Sequence, residues 1–291
     1  MSDQAASLRV IRGDRGDGPV VKASPPRRAI AVSGGKGGVG KSMVALNLAI
    51  TYARQGAKTL VVDTDLGMAD LNLLLGVAPE KSVLDALGGA NVEGVLVKAH
   101  GISLLPALNG SYFLSTIGPT ALQRIIEMIS SLAATFDTLV IDVAAGIGQV
   151  QTTFASAPTD SIVVVNPEPL SMADAYACLK VLSTEQGLRH AYIVPNRVTS
   201  RAQADELVAR LSALVDRFLD LEVTALPYIP ADPSVTEAAQ IGVPLAIHAP
   251  DSPAARALRQ IARSLGGLTA ATDANTNSWW RSSARAHGGA R

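Results

Sequence analysis

Cysteine is almost absent. One residue, Cys178, in a chain of 291 excludes a disulfide framework and any all-cysteine zinc or iron–sulfur site within one chain. Cys178 stands in an apolar run and is expected to be a small buried residue. Charge of one sign is also lacking: Lys+Arg 25 balances Asp+Glu 25. A protein held on DNA by bulk positive charge is usually more basic, which argues against DNA as a partner. No apolar run approaches the roughly 20 residues that span a bilayer. Met1 leads into Ser2-Asp3-Gln4 without the apolar segment of a signal peptide. The protein is therefore expected to be soluble, reduced and cytoplasmic. Hydrophobic residues at 48% support a sizeable core and exclude global disorder.

Residues 1–28 differ from the rest of the chain. Asp3 to Arg12 reads as a short helix, and the Gly, Pro and charge mixture from Gly13 to Arg28 reads as linker. From Ala29 onward, short β-branched runs alternate with helical periods. Strands are expected at Ala29–Ser33, Thr59–Asp63, Ile102–Pro106, Thr138–Asp142, Ser161–Asn166, Ala191–Asn196 and Val223–Tyr228. Most are continuously apolar, as strands buried on both faces must be. Helices are expected at Ser42–Gln55, Pro119–Ala134, Ser171–Gln186, Arg201–Phe218, Ser234–Ile241 and Ser252–Leu265. This alternation predicts an α/β fold: a mainly parallel sheet of seven or eight strands with helices on both faces. The folded domain is expected over 29–266, with a mobile tail over 267–291.

The strongest signal is Gly34-Gly35-Lys36-Gly37-Gly38-Val39-Gly40-Lys41-Ser42. From Gly35 to Ser42 it carries the phosphate-loop spacing, after an expected strand and at the start of an expected helix. The glycines let backbone N–H groups converge on phosphate oxygens. The helix beginning near Ser42 turns its positive end toward the anion. Lys41 supplies charge to the β- and γ-phosphates, and the Ser42 hydroxyl suits Mg²⁺. Two further strands end in carboxylates: Asp63-Thr64-Asp65 after the second, and Asp142 after Thr138-Leu139-Val140-Ile141. Carboxylates there lie at the ligand edge of an open α/β sheet. Such alternating acids can divide duties between a metal's shell and an attacking water.

The second lysine, Lys36, together with this loop, resembles the deviant Walker A group, the MinD/ParA-like ATPases. The resemblance covers about residues 29–265 and implies ATP and Mg²⁺. It implies a phosphate cradle from Gly35 to Ser42, with Val39 and Gly40 inside it. It also implies a homodimer formed with ATP, in which Lys36 reaches the partner's nucleotide. Asp65 would orient water, with Ser42, Asp63 and Asp142 around the metal. Asn196 and Arg197 of Val194-Pro195-Asn196-Arg197, and the Pro230–Asp232 turn, are implied at the adenine. No guanine signature stands there, so ATP is favoured over GTP. Relatives carry a hydroxyl where this chain has Val143 and Gly or Pro where it has Ala144, which puts turnover rate in question and leaves binding intact. Tight binding without turnover, a nucleotide-switched scaffold, is the alternative.

Within the group, Asp65-Leu66-Gly67-Met68-Ala69-Asp70 and Pro167-Glu168-Pro169-Leu170-Ser171-Met172-Ala173-Asp174-Ala175-Tyr176 resemble the FlhG/FleN (YlxH) branch, regulators of flagellar number and placement. Asp70 stands where that branch commonly has Asn. Asp3-Gln4-Ala5-Ala6-Ser7-Leu8-Arg9 is similar to the element by which that branch stimulates an FlhF-like GTPase. The resemblance adds flagellar switch components or a flagellar transcription regulator as further partners. A MinD-type division regulator and a ParA-type partition ATPase are the rivals. Trp279 and Trp280 with Arg281 could seat the tail at the inner face of the cell membrane, or the tail could be solvated.

Overall fold

The computed structural model describes residues 26–65, 70–107 and 119–267. The helix expected over Asp3–Arg12, the Trp279-Trp280 tail and residues 66–69 lie outside them. Nine strands form one sheet: β1 (Arg28–Ser33), β2 (Thr59–Asp63), β3 (Val97–Ala99), β4 (Ile102–Leu105), β5 (Thr138–Asp142), β6 (Asp160–Val165), β7 (His190–Val198), β8 (Glu222–Ala225) and β9 (Ile229–Pro230). Their order is β3-β4-β2-β5-β1-β6-β7-β8, with β9 pairing β7. Every pairing is parallel except β3 with β4. The fold is the α/β, mainly parallel arrangement that the alternation predicts. β3, with three residues, and β9, with two, are too short to leave a periodicity. The single strand expected at Val223–Tyr228 is interrupted, because Pro227 has no N–H to continue a ladder.

The helices are α1 (Lys41–Arg54), α2 (Leu71–Leu74), α3 (Val83–Leu87), α4 (Pro119–Ala133), α5 (Gln149–Ser156), α6 (Pro169–Thr184), α7 (Arg201–Phe218), α8 (Pro233–Gln240), α9 (Leu245–His248) and α10 (Pro253–Gly267). They divide the core into two clusters, one on each face of the sheet. Along β1, Ala29 and Ala31 join one cluster while Ile30 and Val32 join the other. In β5, Leu139 and Ile141 separate from Val140 in the same way. A period of two with apolar residues on both sides gives the continuous hydrophobic runs seen in the sequence. The first face takes Ile129 of α4, Leu179 of α6 and Leu211 of α7. The second takes Leu48 of α1 and Leu258 of α10. β1 is central, between β5 and β6, and at its C-terminal end the chain turns into α1 at the sheet edge where ligands of open α/β sheets bind.

Candidate nucleotide site

The loop after β1 is shaped by its glycines and by what presses on it. Gly38 has φ +76° and Gly40 φ +100°, a left-handed region that an L side chain enters at a cost. A Cβ on Gly35 would stand 2.0 Å from the Asp174 carbonyl oxygen in α6. The loop thus passes against the backbone of α6 with no space for a side chain. Gly40 precedes α1 without a side-chain cap, leaving the first N–H groups of that helix available to an anion. Lys41 is buried, at 8% exposure, and donates through Nζ to the Lys36 carbonyl at 3.3 Å. Its ammonium is held inside the loop by a weak contact. Lys36 points away, toward Glu168 Oε2 at 3.6 Å.

The carboxylates meet Lys41 from the side of β2 and β5. Parallel pairing places Asp63 beside Asp142 in register. Asp63 Oδ1 accepts from the Asp65 N–H at 2.9 Å and Oδ2 from the Leu71 N–H at 3.4 Å. It therefore anchors both ends of the connection between β2 and α2. Asp142 is 3% exposed, and its Oδ1 is buried without a partner. Burial pushes the pKa of both carboxyls up. Asp142 raises that of Asp63 further, and the Asp65 and Leu71 amides oppose the rise. Ser42 and Lys41 oppose it at Asp142, where the charges of Asp65 and Asp70 add to it. A buried carboxylate oxygen without a partner, among acids with too little compensating charge, suits an oxygen-seeking divalent cation. The donor set of Ser42, Asp142 and Asp63 is composed of hard oxygens, as Mg²⁺ requires.

The structure gives roles to residues to which the sequence assigned none. Thr64, between the two acids at the end of β2, donates through Oγ1 to the Asp142 carbonyl at 2.8 Å and accepts from the Ala144 N–H at 3.3 Å. It staples the ends of β2 and β5 together. Glu168 holds Lys36. Asn166, with its amide turned as its neighbours demand, donates to the carbonyls of Val39 and Asn196 at 3.2 Å. None of these three has a local signal, since each acts on a segment distant in the chain. Val143, read from the sequence as a missing hydroxyl, is 1% exposed and lies in the core. Its apolar side chain answers to packing, while Gly146, at φ +112°, supplies the bend beyond it.

At the expected adenine end, the side chain of Asn196 faces the phosphate loop. It donates through Nδ2 to the Val39 carbonyl at 2.7 Å and accepts through Oδ1 from the Arg197 N–H at 2.9 Å. Arg197 has φ +57°, an uncommon conformation for a non-glycine residue. Pro230 lies in β9 against β7. Asp232 caps α8: its oxygens accept from the Ser234 N–H at 3.0 Å and the Ala254 N–H at 2.9 Å. Burial would raise its pKa, but these hydrogen bonds lower it. The structure thus brings Lys36, Lys41, Ser42, Asp63, Asp65 and Asp142 together at one sheet edge. It gives Asn196 and Asp232 intramolecular work.

A strand–loop–helix phosphate cradle in a mainly parallel sheet, with carboxylates at the ends of β2 and β5, defines a P-loop NTPase. The ParA family model, described as NUBPL iron-transfer P-loop NTPase, matches residues 26–266, and the chain belongs to the ParA/MinD family of P-loop ATPases. It is 36% identical to the antiactivator FleN of Pseudomonas aeruginosa over 217 residues, 74% of this chain and 78% of that protein. It is 31% identical to the flagellum site-determining protein YlxH of Helicobacter pylori over 214 residues, 72% of each chain. Among solved structures it resembles the septum site-determining protein MinD complexed with Mg-ADP from Pyrococcus horikoshii. The TM-score is 0.67 at 29% identity, covering 84% of this chain and 99% of that one.

Proposed function

We propose that this chain binds ATP with Mg²⁺, dimerises when ATP is bound, hydrolyses it slowly, and regulates flagellar number or placement together with an FlhF-like GTPase. The observation that carries the nucleotide reading is the buried Lys41 held inside the loop, its Nζ on the Lys36 carbonyl and its charge acting on Asp142. Lys41 draws in the β- and γ-phosphates, and the N-terminus of α1 receives their charge. Ser42 and Asp142, backed by Asp63, would hold Mg²⁺. Bound there, the ion neutralises phosphate oxygens. Asp65, fixed by its N–H to Asp63, orients the attacking water. Lys36 leaves Glu168 to meet the nucleotide of a second copy.

The flagellar reading is supported by the similarity to FleN and YlxH and by Asp3–Arg9, which is proposed to act on the partner GTPase. A MinD-type role is the second reading, favoured by the structural similarity to MinD. A ParA-type hold on DNA is less supported, because basic residues on α7 and α10 have acidic neighbours: Arg201 with Asp205, Arg210 with Glu206, and Arg259 with Asp251. The test is sizing chromatography with ATP and Mg²⁺, paired with a GTPase assay. Wild type is expected to dimerise, Lys36→Ala to stay monomeric, and Lys41→Ala to lose nucleotide. A peptide of residues 1–12 should stimulate GTP hydrolysis by the FlhF-like protein of the same organism. If deleting residues 1–12 leaves that turnover unchanged and alters ATP turnover instead, the flagellar partnership is refuted.

A further inference from the structure

Asp70 has none of the roles assigned to the other acids of the site. It stands at the start of α2 and makes no capping hydrogen bond to the helix it precedes. The next residue, Leu71, donates its N–H to Asp63 Oδ2, which fixes the start of α2 at the end of β2. Asp70 is exposed. Its surroundings are nevertheless those of the site. Its carboxyl lies above its ordinary range, through partial desolvation first and then through Asp65, with Lys41 acting in the opposite sense. Reciprocally, the charge of Asp70 acts on the buried Asp142. Asp70 therefore stands beside the acids of the site: its neighbour Leu71 is tied to Asp63, Asp63 also accepts from the Asp65 N–H and lies in register with Asp142, and the buried Asp142 Oδ1 has no partner.

We infer that Asp70 is a positioning residue of the nucleotide site, whose charge makes nucleotide binding depend on a divalent cation. This role rests on the site being a nucleotide site. The physical argument is one of charge. A nucleoside triphosphate brings several negative charges to a site that already carries these acids. Without a cation, the exposed Asp70 carboxylate repels the phosphates while offering them no hydrogen bond. With a divalent cation in place, the same charge faces a largely neutralised centre and its repulsion falls away. Linkage then requires the reciprocal effect: whatever Asp70 takes from cation-free binding, it returns as tighter holding of the cation in the nucleotide complex. Asp63 and Asp142 cannot be tested for this cleanly, since both are buried and structural. Asp70 can be changed to Asn at nearly constant shape.

The experiment is titration of the full-length chain with a fluorescent ATP analogue, in EDTA and in saturating Mg²⁺, for wild type, Asp70→Asn and Asp70→Glu. Removal of one charge from a partly exposed site should change a binding constant by about 3- to 10-fold. Asp70→Asn is expected to tighten binding by that factor in EDTA and by less than about twofold in Mg²⁺. The Mg²⁺ concentration at half effect should rise correspondingly, and Asp70→Glu should behave as wild type. A residue that merely starts α2 would shift the melting temperature and leave the ratio of EDTA to Mg²⁺ affinities unchanged. An unchanged ratio in Asp70→Asn, with or without a stability change, overturns the inference. Failure of wild type to bind the analogue under both conditions would overturn the nucleotide reading instead.

Discussion

Replacing Gly35 by alanine should cost more than the same change at Gly38 or Gly37, and the structure sets the order. The new Cβ would meet the Asp174 carbonyl oxygen at 2.0 Å, its carbon at 2.3 Å and the Asp174 Cβ at 2.8 Å. Two of these atoms are backbone, so rotation of a side chain cannot relieve the clash. The loop and α6 must separate by enough to open 2.0 Å to at least 3.0 Å. Overpacking of this kind costs about 1–3 kcal/mol where neighbours can yield, and a rigid helix backbone puts Gly35→Ala at about 3 kcal/mol. Gly38→Ala meets nothing within 4 Å but must hold φ +76°, which costs about 1–2 kcal/mol. Gly37→Ala meets nothing and is not at positive φ, so its effect should lie within about 0.5 kcal/mol. Urea unfolding of the three variants, with the midpoint and slope fitted separately, gives the order directly. Because α6 begins just after Glu168, the residue that holds Lys36, Gly35→Ala should also weaken nucleotide binding. Equal stability of Gly35→Ala and Gly37→Ala would refute the close approach of the loop to α6.

Three further outcomes are expected from the same geometry. Asp65→Ala should bind ATP and still dimerise while turnover falls by two orders of magnitude or more, because water orientation alone is lost; a monomer under saturating ATP would contradict the assigned role. Cys178 is buried and its thiol is pushed up to about 11 by that burial, with Ser33 and Lys41 opposing. Ellman's reagent at pH 7.5 should therefore leave it untouched in the folded protein and label it at once in denaturant. Asp160 is raised to about 6, by burial first and with Arg28 opposing. The native state then holds a proton that the unfolded state has released, so this stabilisation is present at low pH and is lost as pH rises through about 6. Relative to Asp160→Asn, wild type should gain about 2 kcal/mol between pH 7 and pH 4 in urea unfolding; no change in the difference would refute it.

Elements that repeat a local rule could be read from the amino-acid order alone. Continuous apolar runs marked β1, β2, β4, β5, β6 and β7, because a strand covered on both faces needs apolar side chains at both phases of its period. The phosphate loop was legible because its glycines and its lysines stand within nine consecutive residues, and Asp65 and Asp142 were legible as acids just where strands end. The helix at Arg201–Phe218 was legible to the residue, as a long amphipathic period with Ser200 before it. The short elements β3, β9, α2 and α3 left no period to read.

How those residues act on one another is set by the three-dimensional arrangement. Parallel pairing of β2 with β5 joins Asp63 to Asp142 across 79 positions of sequence, and burial first, then that proximity, raises the pKa of Asp63. The same pairing lets Thr64 staple the two strand ends. The return of α6 against the loop explains why position 35 must be glycine and gives Lys36 its partner in Glu168. Asn196 shows the same dependence: a motif placed it at a base, whereas folding turns its amide onto the Val39 carbonyl, 157 residues away. Spacing along a chain encodes periodicity and turn chemistry, while charge coupling and steric exclusion depend on distance through space, and the sheet order sets that distance.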